Sequence, residues 1–254
     1  QSQPIGSRRD AVLVTLRDIG RQQEQMQQAE ENYNKLIHTL SHELLSPMTG
    51  IRGHLTHLAD GRDLTDEDRR RSVEIARGDV ERLIRLTSNL LELSRLQAGQ
   101  PMQRRPTNLA AVAEEAVLQL LEKADARHIT LNINAAPDLA RLSVDRDKWK
   151  QVFLNLIDNA IKYGKEGGNV DIGLRQGSSF MSITITDDGL GIPPADVPHL
   201  FDEMFRSEAH RNISGTGLGL AIVRRIIEQH DGQITASSRL GHGTTFHINL
   251  PLTA

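Results

Sequence analysis

The chain has 254 residues, a length for about two domains, and its 38% hydrophobic and 25% charged residues are those of a soluble globular protein. A net charge of -3 gives no reason to expect nucleic acid or an anionic membrane as partner, and the lack of cysteine excludes disulfides, thiolate catalysis and cysteine-ligated zinc. Only 3% of residues are aromatic, so the core must come from aliphatic seams on helices.

No apolar run is long enough to span a bilayer, Gln1-Ser2-Gln3-Pro4 is not a signal peptide, and there is no initiator Met. These features predict a cytoplasmic piece of a longer protein, without membrane contact in this fragment. Residues 11–17, AVLVTLR, read as one strand. Asp18-Ile19-Gly20 then breaks into the polar run RQQEQMQQAEENYNK, free of Pro and Gly. A strand, an Asp-Ile-small turn and a polar helix resemble the end of a PAS-type sensor domain handing over to a signalling helix, implying a sensor end at 1–20 and a signalling helix at 21–35.

From Leu36 to about Ala59, Leu44, Met48, Ile51, Leu55 and Leu58 recur four and three apart, one apolar stripe on a helix. At about 100° per residue, His42 falls roughly 160° from the centre of that stripe. It is therefore predicted to be exposed, with Glu43 beside it and the Ser46 hydroxyl one turn on. Pro47 should bend this helix, and Gly61 can end it. Thr65 and Asp68 have the spacing of a helix start. The helix that follows, to about Ala98, carries a heptad seam of Val73, Ala76, Val80, Leu83, Thr87 and Leu90. Two long helices on a short loop predict an antiparallel hairpin. Ile84, Leu86, Leu91 and Leu93 lie off the seam, and a second hairpin in a four-helix bundle would cover them, which predicts a homodimer.

Gly99-Gln100-Pro101 ends the hairpin, and the RRP of 104–106 reads as linker. Beyond Thr107 the pattern predicts helices at 109–125, 145–163 and 217–230. Strands are expected at 129–135, 169–175, 179–186, 232–238 and 243–250, an α+β layer fold.

Four segments of this region carry chemistry. In Asn155-Leu156-Ile157-Asp158-Asn159-Ala160-Ile161-Lys162-Tyr163, residues 155, 159 and 162 share one helix face. Carboxamide oxygens suit a hard cation and lysine suits phosphate. Asp187-Asp188-Gly189-Leu190-Gly191-Ile192-Pro193 is a strand end with a glycine turn. Phe201-Asp202-Glu203-Met204-Phe205-Arg206 follows. Gly215-Thr216-Gly217-Leu218-Gly219-Leu220 is a glycine loop at a helix start, where bare N–H groups attract phosphate. Gly241-His242-Gly243-Thr244 precedes the last strand. Leu220 occupies the last glycine position of a dinucleotide fingerprint, and no Lys-Ser or Lys-Thr completes a Walker loop. Ser46 stands where a zincin helix needs its second histidine, and His38 with His42 lacks a third metal ligand.

In this order and spacing, the four segments resemble the asparagine, first glycine, phenylalanine and second glycine boxes of sensor histidine kinases of two-component systems. SHELLSP, residues 41–47, resembles their phosphoacceptor box. The resemblance covers about residues 30–252. It implies an all-α dimerisation and phosphoacceptor hairpin at 36–99, a linker at 100–107, and an α/β (α+β) Bergerat-type ATP-binding sandwich at 108–254. The cofactors implied are ATP and Mg²⁺, with Asn159 as metal ligand and Asn155 nearby, and with Lys162 and Tyr163 at the phosphates. Asp187 would accept from the adenine amino group, Gly189, Gly191 and Ile192 would lie against the base, and Thr244 would close the site. Arg206 and Ser207–Ser214 would form a lid hinged at Gly215, Thr216, Gly217, Leu218, Gly219 and Leu220. His42 would be the nucleophile, with Glu43 as base. A response-regulator aspartate would take the phosphoryl group, and Ser46 would serve the reverse phosphatase step.

The family usually has Arg-Thr before the proline; Leu45-Ser46 here deletes a positive charge and the β-methyl that restricts the hydroxyl rotamer. Phosphatase activity is therefore expected to be weak. Chaperones, topoisomerases and mismatch-repair proteins share the nucleotide fold, but the hairpin with His42 argues against them. A nucleotide-binding relay without transfer is the non-enzymatic alternative.

Overall fold

The computed structural model describes residues 37, 39–60, 64–210, 212–213 and 215–252. The strand expected at 11–17, the polar helix after it, the His38 side chain and Gly61 lie outside the described residues. The chain divides into two units, the first ending at Leu83 and the second beginning at Ile84.

In the first unit, helix α1 (39–60) is followed by helix α2 (Asp66–Gln97), whose early turns belong to this unit. The start of α2 is a reciprocal cap. The Asp68 N–H donates to Thr65 Oγ1 at 3.1 Å, while the Thr65 N–H and hydroxyl donate to Asp68 Oδ2 at 3.2 and 2.6 Å. The Thr65 donors hold the Asp68 carboxyl below its ordinary value, and Asp66, Glu67 and Asp68 all stand at the positive end of the helix. Glu43 meets Arg82 and Gly50 faces Asp79, so the two legs run antiparallel. They do not bury each other's stripes. Met48, Leu55 and Val73 are 55%, 56% and 54% exposed, leaving an apolar face along the hairpin.

The second unit opens with the remaining turns of α2, where Leu86, Leu93 and Leu96 are buried. Glu92 pairs with Lys148, and Gln229 Nε2 donates to the Leu96 carbonyl at 2.7 Å. Each buried leucine contributes roughly 1.5–3 kcal/mol, more than such ion pairs supply. This corrects the sequence reading for two off-seam residues: Leu86 and Leu93 are covered within the single chain, whereas Ile84 and Leu91 stay exposed.

A second correction concerns 104–106. The RRP stretch is not a bare linker but part of strand β1 (Arg104–Thr107), antiparallel to β3 (Leu142–Asp145) with Thr107 opposite Leu142. Two charges and a proline hid it from a periodicity reading. Pairing with the distant strand β3, rather than any local alternation, makes it extended.

The rest is a two-layer sandwich. Helices α3 (Leu109–Asp125), α4 (Arg146–Tyr163) and α5 (Gly219–Glu228) cover a five-stranded sheet of order β2-β4-β5-β7-β6. Its strands are β2 (Thr130–Ala135), β4 (Asn169–Gln176), β5 (Phe180–Asp187), β6 (Gln233–Arg239) and β7 (Gly243–Pro251). Only β2 and β4 pair in parallel. Alternation puts Val170, Ile172, Ile183, Ile185, Phe246 and Ile248 against Trp149, Phe153, Leu156, Ile157 and Ile222, all buried.

The start of α4 is held from three directions. Asp145 Oδ1 accepts from the N–H groups of Asp147 and Lys148, and its Oδ2 accepts from Gln103 N–H at 2.9 Å. The Asp145 N–H in turn donates to His230 Nε2 at 3.0 Å, while His230 Nδ1–H donates to the Ile226 carbonyl at 2.7 Å. His230 is fully buried, and burial pushes its pKa below the ordinary 6.5. A proton on Nε2 would face the Asp145 N–H and break that bond. The unfolded chain therefore binds this proton more readily, so the stabilisation is complete above about pH 6.5 and is lost as pH falls through the lower folded value. Thermal melts should show Tm falling over that acid window. His230→Gln should melt lower at pH 7.5 and show a flatter acid dependence; an unchanged slope would remove His230 as its source.

Candidate nucleotide site and phosphoacceptor

The predicted residues fall into two groups, one in each unit. His42 and Ser46 are exposed on α1, and Glu43, half-buried, accepts from Arg82. The helix runs through Pro47, which is buried, and Ser41 donates to the Ile37 carbonyl at 2.8 Å. Leu45 is 60% exposed, and nothing in the structure explains it.

The second group converges at one end of the sandwich. Asp187, the last residue of β5, is buried, and its Oδ1 accepts from the N–H groups of Gly189 at 3.0 Å and Thr244 at 3.2 Å. Both bonds fall on Oδ1, so Oδ2 keeps acceptor capacity for a ligand. Burial pushes the carboxyl above its ordinary value; the two N–H donors oppose this and neighbouring Asp188 adds to it. Gly191 has φ +63, and a Cβ there would stand 2.0 Å from the Arg239 carbonyl oxygen, so the turn after Asp187 admits only glycine. The Ile192 N–H donates to Ser238 Oγ at 2.8 Å, and that oxygen also lies 2.9 Å from the Thr244 hydroxyl.

Helix α4 delivers the polar face predicted for it. Asn155 and Asn159 are half-buried one turn apart, above the buried Leu156, Ile157 and Ala160. Lys162 Nζ lies 2.6 Å from Asp158 Oδ2, and Lys123 meets the other oxygen of the same carboxylate. Burial works against the Asp158 charge, but the two lysines outweigh it and hold the carboxyl below its ordinary value. The Leu190 N–H donates to the Tyr163 carbonyl at 2.9 Å, joining the end of α4 to the first glycine turn. Burial raises the Tyr163 phenol, against the opposing charge of Arg206.

The glycine loop closes the remaining side. A Cβ at Gly219 would lie 3.3 Å from Asn155 Oδ1, and one at Gly215 would lie 3.9 Å from the Tyr163 hydroxyl. Gly217 has φ +70, and a Cβ there would strike the Met204 backbone. The Met204 N–H donates to the Gly217 carbonyl at 3.0 Å. Leu218 is buried and precedes α5 with no side chain capping the helix start, which suits the first amides to an anion. Leu220 is half-buried in the first turn. The Thr216 hydroxyl accepts from the Leu218 N–H and from Asn89 Nδ2, each at 3.4 Å. Arg206 donates to the Ile213 carbonyl at 2.7 Å, tying the 207–213 segment back on itself. Residues 211 and 214 of the predicted lid lie outside the described residues.

Sequence reasoning missed three contributors. Gly243 has φ +94 and lets β7 start against the Asp187 backbone, where a Cβ would lie 1.9 Å from the carbonyl oxygen. Ser238 joins the Ile192 turn to Thr244. Arg127 donates to the carbonyls of Ile161, Lys162 and Gly164, capping the C-terminal end of α4. The glycine lay in plain view in the GHGT stretch. Arg127 had no local signal, because its acceptors are backbone oxygens 34 to 37 residues away.

Residues 32–99 match the His Kinase A (phospho-acceptor) domain, and residues 144–254 match the histidine kinase-, DNA gyrase B-, and HSP90-like ATPase family. The sensor histidine kinase WalK of Bacillus subtilis (strain 168) is 31% identical over 246 residues, 95% of this chain; the chain spans 40% of WalK's length. The Acinetobacter baumannii histidine kinase AdeS superposes with a TM-score of 0.70 at 28% identity, covering 84% of this chain and 98% of that one. The fold also matches histidine kinase ThkA, solved in complex with response regulator protein TrrA, with a TM-score of 0.71 at 22% identity over 86% of this chain and 61% of that one. With a phosphoacceptor domain matched at residues 32–99 followed by an ATPase domain matched at 144–254, the chain belongs to the sensor histidine kinases of two-component systems.

Proposed function

We propose that the chain is the autophosphorylating part of its protein, moving the γ-phosphoryl group of ATP to His42 and then to an aspartate of a response-regulator receiver domain. One observation carries this reading: an exposed histidine with a carboxylate beside it shares a chain with a buried acceptor, Asp187, and a glycine loop at an uncapped helix start. In this reading Asp187 Oδ2 accepts from the adenine amino group, and Gly189, Gly191, Ile192 and Thr244 hold the turn against the base. Lys162, Tyr163, Arg206 and the amides from Gly215 to Leu220 face the phosphates. Asn159, with Asn155 beside it, would hold Mg²⁺, whose charge offsets that of the transferred group.

At His42, one ring nitrogen forms the bond to phosphorus as the bond to the β–γ bridging oxygen breaks and ADP leaves. The proton on the other nitrogen passes to Glu43. Residues 36–99 serve as phosphoacceptor and dimerisation hairpin and 108–254 as catalytic domain, with 1–20 and 21–35 as sensor end and signalling helix. The exposed face of Met48, Leu55 and Val73 supports a homodimer, since an apolar stripe of this length is ordinarily covered. Among the described residues no helix is long and apolar enough to cross a membrane.

Incubation with Mg²⁺ and ATP labelled on its γ-phosphate should give acid-labile, base-stable label on the chain. Label that resists acid would refute a phosphohistidine. Ser46 should support only weak dephosphorylation of the regulator, because its hydroxyl rotates more freely than a threonine's. Ser46→Thr should raise that rate several-fold at unchanged autophosphorylation; equal rates would overturn the idea.

A further inference from the structure

Glu43 does not stand alone beside His42. Its Oε2 accepts a hydrogen bond from the Arg82 guanidinium at 2.7 Å, across the hairpin from a residue 39 positions later. The two side chains are only 21% and 30% exposed, so the charge-assisted bond is partly shielded from water. Residues 44–48 of α1 carry no charge, and the Arg82 guanidinium reaches Glu43 from the facing helix. A guanidinium is planar and always protonated, and it fixes both the position of the carboxylate it binds and the direction its second oxygen takes.

We propose that Arg82 is a positioning residue for autophosphorylation: by binding Oε2 it orients Glu43 so that Oε1 receives the ring proton released as His42 attacks. The inference rests on the assignment of Glu43 as base made above.

The test is the rate of His42 labelling at saturating ATP, with the ATP KM and Tm measured alongside. Glu43→Gln should be slow, by part or all of the roughly 10²–10⁴-fold a positioned base supplies. Arg82→Gln should label about tenfold or more slowly with KM unmoved. Arg82→Lys, which keeps the charge but not the fork, should recover part of the rate. The double variant Glu43→Gln/Arg82→Gln should be no slower than Glu43→Gln alone. If Glu43→Gln labels at the full rate, the base assignment fails and takes the Arg82 role with it. If Glu43→Gln is slow while Arg82→Gln labels at the full rate, or the two losses add, the base assignment stands and the positioning role is overturned. A purely structural Arg82 would lower Tm, and its loss would add to that of Glu43→Gln in the double variant.

Discussion

His42→Gln should carry no label above background after incubation with Mg²⁺ and γ-labelled ATP. Glutamine has no nitrogen lone pair able to attack phosphorus, since its amide nitrogen is delocalised into the carbonyl, so the loss is of the nucleophile itself and not of a fraction of rate. The fold should be untouched. His42 is exposed on α1, glutamine is a better helix former than histidine, and surface changes of this kind stay within about 0.5 kcal/mol. The nucleotide residues all lie in the second unit, so ATP affinity should equal that of the wild type. Nucleotide binding and Tm, measured beside the labelling, separate loss of the acceptor from loss of the fold. Label surviving at the wild-type level would remove His42 as the acceptor and leave His54 and His57, the other histidines described on α1, as the next candidates.

Asn159→Ala should lower labelling at least a hundredfold, the scale on which removing one transition-state charge stabiliser acts. The side chain projects from α4 at a half-buried position, next to Asp158 and one turn from Asn155. Alanine is the better helix former there, and the buried Trp149, Phe153, Leu156 and Ile157 that hold α4 to the sheet are unchanged. The domain should therefore fold, and the mass by sedimentation should equal that of the wild type. Magnesium dependence is the sharper reading: the wild type should bind ATP more tightly with Mg²⁺ than without it, and the variant should lose most of that difference. Unchanged labelling, or an unchanged Mg²⁺ effect on binding, would take Asn159 out of the metal site. Label falling together with Tm would point instead to damage in α4, a result that circular dichroism distinguishes directly.

Much of the fold was legible residue by residue. Helix α3 spans Leu109–Asp125 and α4 Arg146–Tyr163, close to where apolar spacing and the capping residues put them. The exposure of His42 followed from its angle to the Leu44–Leu58 stripe. The glycine turns at 189–191 and 215–219 announced themselves because backbone that must pass close to another chain segment excludes a Cβ. These are local properties, written within one or two turns of chain.

What escaped was long-range. The Asp187 carboxylate is held by a donor 57 residues away at Thr244, Arg82 reaches Glu43 across 39 residues, and β1 is a strand only because β3 lies beside it. The leucines of late α2 show the division most clearly. Periodicity established by itself that Leu86 and Leu93 lie off the seam and need cover, and the motif order pointed to a two-part architecture and, through the family resemblance, to His42 as the expected phosphoacceptor. Only the tertiary structure decided what does the covering. A hydrophobic pattern states which face must leave water, whereas its cover is chosen by which surfaces the folded chain brings near, and Leu86 and Leu93 are buried within the single chain.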